Sequence, residues 1–262
     1  MSFEYAPRGF IGVLTPQANT CVEPEFNILM PKGVGVVNAR MFCDNPVMED
    51  RLVDYFETMP ASLARFGAAP LKAIGVACTG MSYLAGRERE DALFPSLTKQ
   101  RGALVTNSAL AVVDALHALG AQRIGLVSPY PDSLTQESVG YWQSRGFAVT
   151  AVAKVVATAA DHARSGTAHP VYALGSDSGT EALKTLRGNA MDAIVMLGTG
   201  LPSLKTILQL PGLDGVPVFS CVLALAWRCV RAADGADCTA ASLREWIAGN
   251  DWKARWQERC GA

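Results

Sequence analysis

Short, nearly continuous apolar runs alternate along the chain with longer stretches in which apolar positions return at a helical period. Phe10-Ile11-Gly12-Val13-Leu14, Val34 to Val37, Ala73 to Ala77 and Ala103 to Val105 form one set of runs. Ile124 to Val127, Phe147 to Val155, Ala193 to Leu197 and Val216 to Phe219 form a second. Runs without polar alternation are strands covered on both faces, and the helical stretches between them supply the cover. Those stretches fall at 47–66, 87–98, 107–119, 133–145, 178–188, 202–209 and 221–233. The pattern predicts an α/β protein with parallel sheets. Ser178-x-x-Glu181 has capping-box spacing and predicts a helix start there. The segment 156–176, rich in small residues and holding His162 and His169, is expected to be a long loop.

The two sets of strands are related. Ile11-Gly12-Val13-Leu14-Thr15-Pro16 recurs as Ile124-Gly125-Leu126-Val127-Ser128-Pro129. Ala73-Ile74-Gly75-Val76-Ala77-Cys78-Thr79-Gly80 recurs as Ala193-Ile194-Val195-Met196-Leu197-Gly198-Thr199-Gly200. Leu104-Val105-Thr106-Asn107-Ser108 and its helix recur as Val218-Phe219-Ser220-Cys221-Val222 and its helix. Three matches in one order predict two pseudo-symmetric, Rossmann-like halves with parallel sheets and an active site in the cleft between them. Residues 1–106 are expected to form the first half, with 220–262 packing back onto it, and 107–219 the second.

In open parallel sheets a ligand sits beyond the carboxyl ends of the strands. The repeated motifs end there, at Thr15-Pro16, Cys78-Thr79-Gly80, Ser128-Pro129 and Gly198-Thr199-Gly200. Glycine and hydroxyl residues at strand-to-helix turns present N–H and O–H donors suited to a carboxylate. The expectation is an anion cradle between two lobes, with Cys78 on one wall.

Composition narrows this further. A chain of 262 residues allows one large domain or two small ones, and the repeat selects two. Basic residues number 23 and acidic ones 24, which excludes a strongly basic nucleic-acid footprint. With 50% hydrophobic and 18% charged residues, the chain has a sizeable core and is not intrinsically disordered. Seven cysteines without a CxxC pair and three histidines without HxH or HExxH spacing predict neither a disulfide framework nor a metal site. Glycines 12 and 75 make no dinucleotide fingerprint, so nucleotide binding is not expected. The start shows no signal peptide, and the longest apolar run, Val216 to Trp227, is too short for a membrane span. The expected setting is cytoplasmic, with reduced thiols and with no membrane or nucleic-acid partner.

Thr15-Pro16-x-x-Asn19-Thr20-x-x-Glu23-Pro24-Glu25, followed by Ala39-Arg40-Met41, resembles the opening of maleate cis–trans isomerases. Ala77-Cys78-Thr79-Gly80-Met81-Ser82 is similar to their first cysteine loop, and Ser128-Pro129-Tyr130 to their tyrosine loop. Gly198-Thr199-Gly200-Leu201 resembles the second cysteine loop of arylmalonate decarboxylases. The resemblance spans nearly the whole chain and points to the aspartate/glutamate racemase superfamily. It implies two α/β halves, a carboxylate-binding cleft, no metal or organic cofactor, and assembly into a homo-oligomer. It makes Cys78 the catalytic residue and places Pro16, Asn19, Thr79, Gly80, Tyr130, Gly198, Thr199 and Gly200 around a small carboxylate substrate, with Asn19 orienting a carboxylate.

One departure matters. Racemases and maleate isomerases of this superfamily carry a cysteine in each half, and arylmalonate decarboxylases keep the second; here Cys78 stands opposite Gly198. Racemisation by a thiol on each face is therefore disfavoured. Cys78, its pKa lowered near helix N-termini, can add to the double bond of a cis-enedioate as in maleate isomerisation, which is the leading reading. Alternatively it can protonate the enediolate left when a substituted malonate loses carbon dioxide. In either case Thr79, Tyr130, Thr199 and the backbone of Gly80 and Gly200 would hold the developing charge. A two-lobed carboxylate-binding protein without chemistry is the reading from another class.

Of the remaining thiols, Cys221 opens the helix matched to the one starting at Asn107, and Cys21 and Cys43 follow strand ends. Cys229 reads as packing, and Cys238 and Cys260 as peripheral. His117 lies in an apolar helix and is expected to be structural, while His162 and His169 are expected to be exposed. Phe42, Met81, Tyr83 and the 156–176 segment are expected to shape the cleft around the substrate's side chain.

Overall fold

The structure, a computed structural model, describes residues 3–165 and 170–261. Near-continuous burial along β1 (Gly9–Pro16) and the inner positions of β3 (Leu71–Val76) reflects helices on both sheet faces. The elements run β1, α1 (Val22–Leu29), β2 (Val34–Met41), α2 (Met48–Glu57), α3 (Met59–Ala64), β3, α4 (Gly80–Ala85), α5 (Arg87–Arg101) and β4 (Leu104–Asn107). Then come α6 (Ser108–Leu119), β5 (Arg123–Ser128), α7 (Asp132–Ser144), β6 (Ala148–Lys154), α8 (Ala159–Ser165) and a 3₁₀ turn at Pro170–Tyr172. They continue with α9 (Ser176–Lys184), β7 (Ala193–Met196), α10 (Leu204–Gln209), β8 (Gly212–Leu213) and β9 (Val216–Ser220). The chain closes with α11 (Cys221–Ala233), α12 (Ala240–Ile247) and α13 (Lys253–Cys260).

The first sheet has the order β2-β1-β3-β4 and the second β6-β5-β7-β9-β8. All neighbours are parallel except the two-residue β8, which is antiparallel to β9. The two halves are pseudo-symmetric α/β units, and their register refines the repeat. Val76 pairs with Asn107 at the end of β3–β4, and Met196 with Ser220 at the end of β7–β9. Asn107 caps α6 by accepting from Leu110 N–H at 2.8 Å, and Ser220 caps α11 by accepting from Leu223 N–H at 3.1 Å. The third repeat is therefore one residue out of step with the sequence alignment. Cys221 corresponds to Ser108, not Asn107, because an apolar run does not fix its own register whereas a cap does.

Helix α11 leaves the second sheet and packs on β1, β3 and α6. At Gly75 a Cβ would lie 3.0 Å from both Cys229 Sγ and Leu225 Cγ, so the glycine lets α11 sit close against β3. Cys229 is a buried packing residue. A buried knot joins α5 to α7: the Glu90 carboxylate accepts from Arg145, Tyr141 and the Asn107 side chain.

The 156–176 segment is not one long loop. Thr158 and Asp161 exchange hydrogen bonds, Thr158 N–H to Asp161 Oδ2 at 2.8 Å and Asp161 N–H to Thr158 Oγ1 at 3.2 Å. This reciprocal capping starts α8. Helix α9 begins at Ser176 rather than Ser178, since the Ser178 hydroxyl instead donates to Asp161 Oδ2 at 2.6 Å. His162 is exposed, and His169 lies outside the described residues. No helix among the described residues is long and apolar enough to cross a membrane.

Candidate active site

The carboxyl ends of β1, β3, β5 and β7 converge on one cavity of about 50 Å³, room for a few water molecules and hence for a small ligand. Eight of the nine residues singled out from the sequence line it: Pro16, Cys78, Thr79, Gly80, Tyr130, Gly198, Thr199 and Gly200. Asn19 stands behind them. Its Oδ1 accepts from Cys21 N–H at 2.8 Å and Val22 N–H at 3.1 Å, holding the start of α1. Its Nδ2 donates to Thr199 Oγ1 at 3.2 Å.

Cys78 follows β3 and precedes α4, with 4% of its surface exposed. Burial pushes its thiol up to about 11, while the main-chain N–H groups of Met81 and Gly80 pull the other way. The substrate-free site therefore holds Cys78 as a neutral thiol near pH 7, contrary to the lowered pKa expected from the sequence. The helix start supplies donors, but desolvation outweighs them.

The hydroxyls on either side of the cleft cross between the halves. Thr79 Oγ1 and Tyr130 Oη lie 2.7 Å apart. Thr199 Oγ1 donates to Ala77 O at 2.8 Å. Opposite Cys78, Gly198 has φ +81°, and a Cβ there would lie 2.6 Å from Pro129 Cγ. Only glycine takes this turn without strain. Cys21 lies beneath the second loop, donating its thiol to Gly200 O at 3.0 Å. Cys221 is fully buried, with Gly198 N–H and the Thr79 hydroxyl at its sulfur, and does not line the cavity. Cys43 donates to Asp54 Oδ2 at 3.0 Å and does not line the cavity.

One wall was not read from the sequence. Met48, Arg51, Leu52 and Tyr55 on α2 face the cavity, as does Leu134, whereas Val171 and Tyr172 come from the 156–176 segment that was expected to shape the cleft. Positions 48, 51, 52 and 55 share one helical face, so the spacing held the signal, but an arginine among Glu49, Asp50 and Asp54 reads as a solvated surface. Phe42, by contrast, is exposed, and Met81 and Tyr83 are core residues rather than cavity walls. No Asp or Glu lines the cavity among the described residues, and Arg51 supplies its positive charge. No group of three His, Cys, Asp or Glu placed to hold a metal ion occurs among them either.

A family model for arylmalonate decarboxylase matches residues 11–244. The chain belongs to this family. It is an enzyme of the aspartate/glutamate racemase superfamily, whose two-lobed fold the sheets reproduce. Over 235 residues it is 25% identical to a maleate isomerase of Geobacillus stearothermophilus, covering 85% of this chain and 90% of that protein. It is likewise 25% identical to the arylmalonate decarboxylase of Bordetella bronchiseptica, covering 84% and 93%. A mutant of the Nocardia farcinica maleate cis–trans isomerase with a covalently bound succinylcysteine intermediate superposes with TM-score 0.73 at 25% identity, covering 90% and 98%.

Proposed function

We propose that the protein is a cofactor-independent isomerase of the maleate cis–trans type, acting on a small dicarboxylate through Cys78 alone. The observation that carries this reading is a single buried thiol in a compact cavity, set against two main-chain N–H groups and facing neutral hydroxyls. The Cys78 sulfur bonds one alkene carbon and its proton goes to the other, giving a succinyl thioether. The relative that carries a covalently bound succinylcysteine intermediate supports this step. Rotation about the new single bond brings the other hydrogen of the protonated carbon beside the sulfur, and loss of that proton to the sulfur as the C–S bond breaks yields the trans acid and restores the thiol. Negative charge passing onto the carboxylate as the C–S bond forms and breaks is held by Tyr130, Thr79 and the N–H groups of Gly80 and Gly200.

The glycine opposite Cys78 favours a second reading. A substituted malonate would lose carbon dioxide, leaving its electron pair as an enediolate, and the Cys78 S–H would protonate the α-carbon before regaining a proton from water. Proton NMR after incubation with maleate and, separately, with phenylmalonate tests both: fumarate signals establish the first, phenylacetate the second. Neither product within a day at high enzyme concentration would leave the carboxylate-binding reading.

A further inference from the structure

Arg51 projects from α2 into the same cavity as Cys78, yet neither proposed reaction uses it. Its Nη1 donates to Asn45 O at 2.8 Å, a neutral acceptor that aims the guanidinium without cancelling its charge. No carboxylate among the described residues pairs with it. The surrounding walls are neutral: Met48, Leu52 and Leu134 are apolar, and Tyr55 Oη is already committed to Gln17 Oε1 at 3.0 Å. Arg51, Tyr55, Tyr172 and Cys78 all line this one space. A half-buried guanidinium without a counter-ion is poorly solvated, and its planar fork matches a carboxylate.

We propose that Arg51 forms a second anion subsite, which receives a negatively charged group of the substrate remote from the carboxylate held by the Thr79-Gly80 and Thr199-Gly200 loops. The inference rests on the small-carboxylate reading of the cavity and deepens it: the enzyme selects dianions over the same skeleton with a neutral end.

Isothermal titration with succinate and with its monoamide, succinamate, tests this without turnover, since neither has a double bond or a malonate centre. The wild-type protein is expected to bind succinate about tenfold more tightly or better, equivalent to about 1.4 kcal/mol. Arg51→Met should bring the two ligands within about twofold, and Arg51→Lys should keep part of the preference, each variant melting as a folded protein. A wild-type protein without the preference, a Met variant that retains it, or a Lys variant that loses it as fully as Met would overturn the proposal. A preference removed by Arg51→Met in a protein inert toward maleate and phenylmalonate keeps the subsite and sinks the reaction. Turnover without the preference does the reverse.

Discussion

Cys78-Thr79-Gly80 and Gly198-Thr199-Gly200 occupy equivalent places after β3 and β7, and they differ in what each is free to do. The first loop carries a thiol and points the Thr79 hydroxyl at Tyr130 across the cleft. The second carries no side chain at its lead position, and its Thr199 hydroxyl is spent on Ala77 O and Asn19. It is fastened from below as well: Glu25 on α1 accepts from the N–H groups of Ser203 and Leu204, and Cys21 bonds Gly200 O. One loop is equipped to react, and the other is a braced wall that shapes and donates. The repeat alone shows a glycine where the first half has a cysteine; the structure shows that glycine in a left-handed turn packed against Pro129.

Removing the reactive side of this contrast has the largest expected effect. Cys78→Ala should lower turnover of maleate or phenylmalonate by about 10³-fold or more, in steady-state assays on protein of unchanged melting temperature. Near-native turnover would transfer the chemistry elsewhere. The bracing side is tested through pH. Burial pushes the Glu25 carboxyl up from 4.5 to about 7, so between these values the folded state binds more protons than the unfolded one. Stability is therefore fullest below about pH 4.5 as far as this group is concerned, falls as pH rises toward 7, and levels above. The loss is on the order of 3 kcal/mol. Glu25→Gln should flatten that slope in denaturant titrations from pH 5 to 8, and an unchanged slope would deny Glu25 the role.

Two smaller tests sharpen the contrast between the loops. Tyr130→Phe removes a donor that faces Thr79 across the cleft and should cost about 10²-fold in kcat with a smaller change in KM. A loss confined to KM would make Tyr130 a binding residue only. Gly198→Cys gives the second loop the lead residue of the first, yet forces a side chain into a left-handed turn and against Pro129. It should lower stability by about 1–2 kcal/mol and add no second acid or base. Deuterium exchange into a bound α-substituted acid, absent in the wild type and present in this variant, would show the wall to be only an empty thiol position.

Much of this was legible from residues alone, for identifiable reasons. Buried parallel strands write themselves as unbroken apolar runs, so β1, β3, β5 and β7 and their carboxyl-end loops were placed within a residue or two. Helix α4 was missed because Gly80–Ala85 makes barely more than a turn directly after a loop, and α13 because none of its residues is buried and no apolar stripe marks it. The start of α8 is written as Thr158-x-x-Asp161, but aspartate there falls outside the usual Glu or Gln form of the capping box and gives no clear signal. Arg51 illustrates a deeper limit. A charge on an amphipathic helix looks the same whether it faces water or a cavity until the neighbouring half of the molecule is in place. The raised Cys78 pKa is of the same kind, because desolvation is a property of the assembled cleft and not of any local motif.

The left-handed turn at Gly198 has one more consequence, which concerns handedness. In the decarboxylation reading, the planar enediolate would meet a thiol on one face and bare peptide on the other. Any stereocentre completed by a proton from Cys78 must then form with a single configuration. Chirality in the product would be written by the shape of a backbone turn that takes no part in bond making.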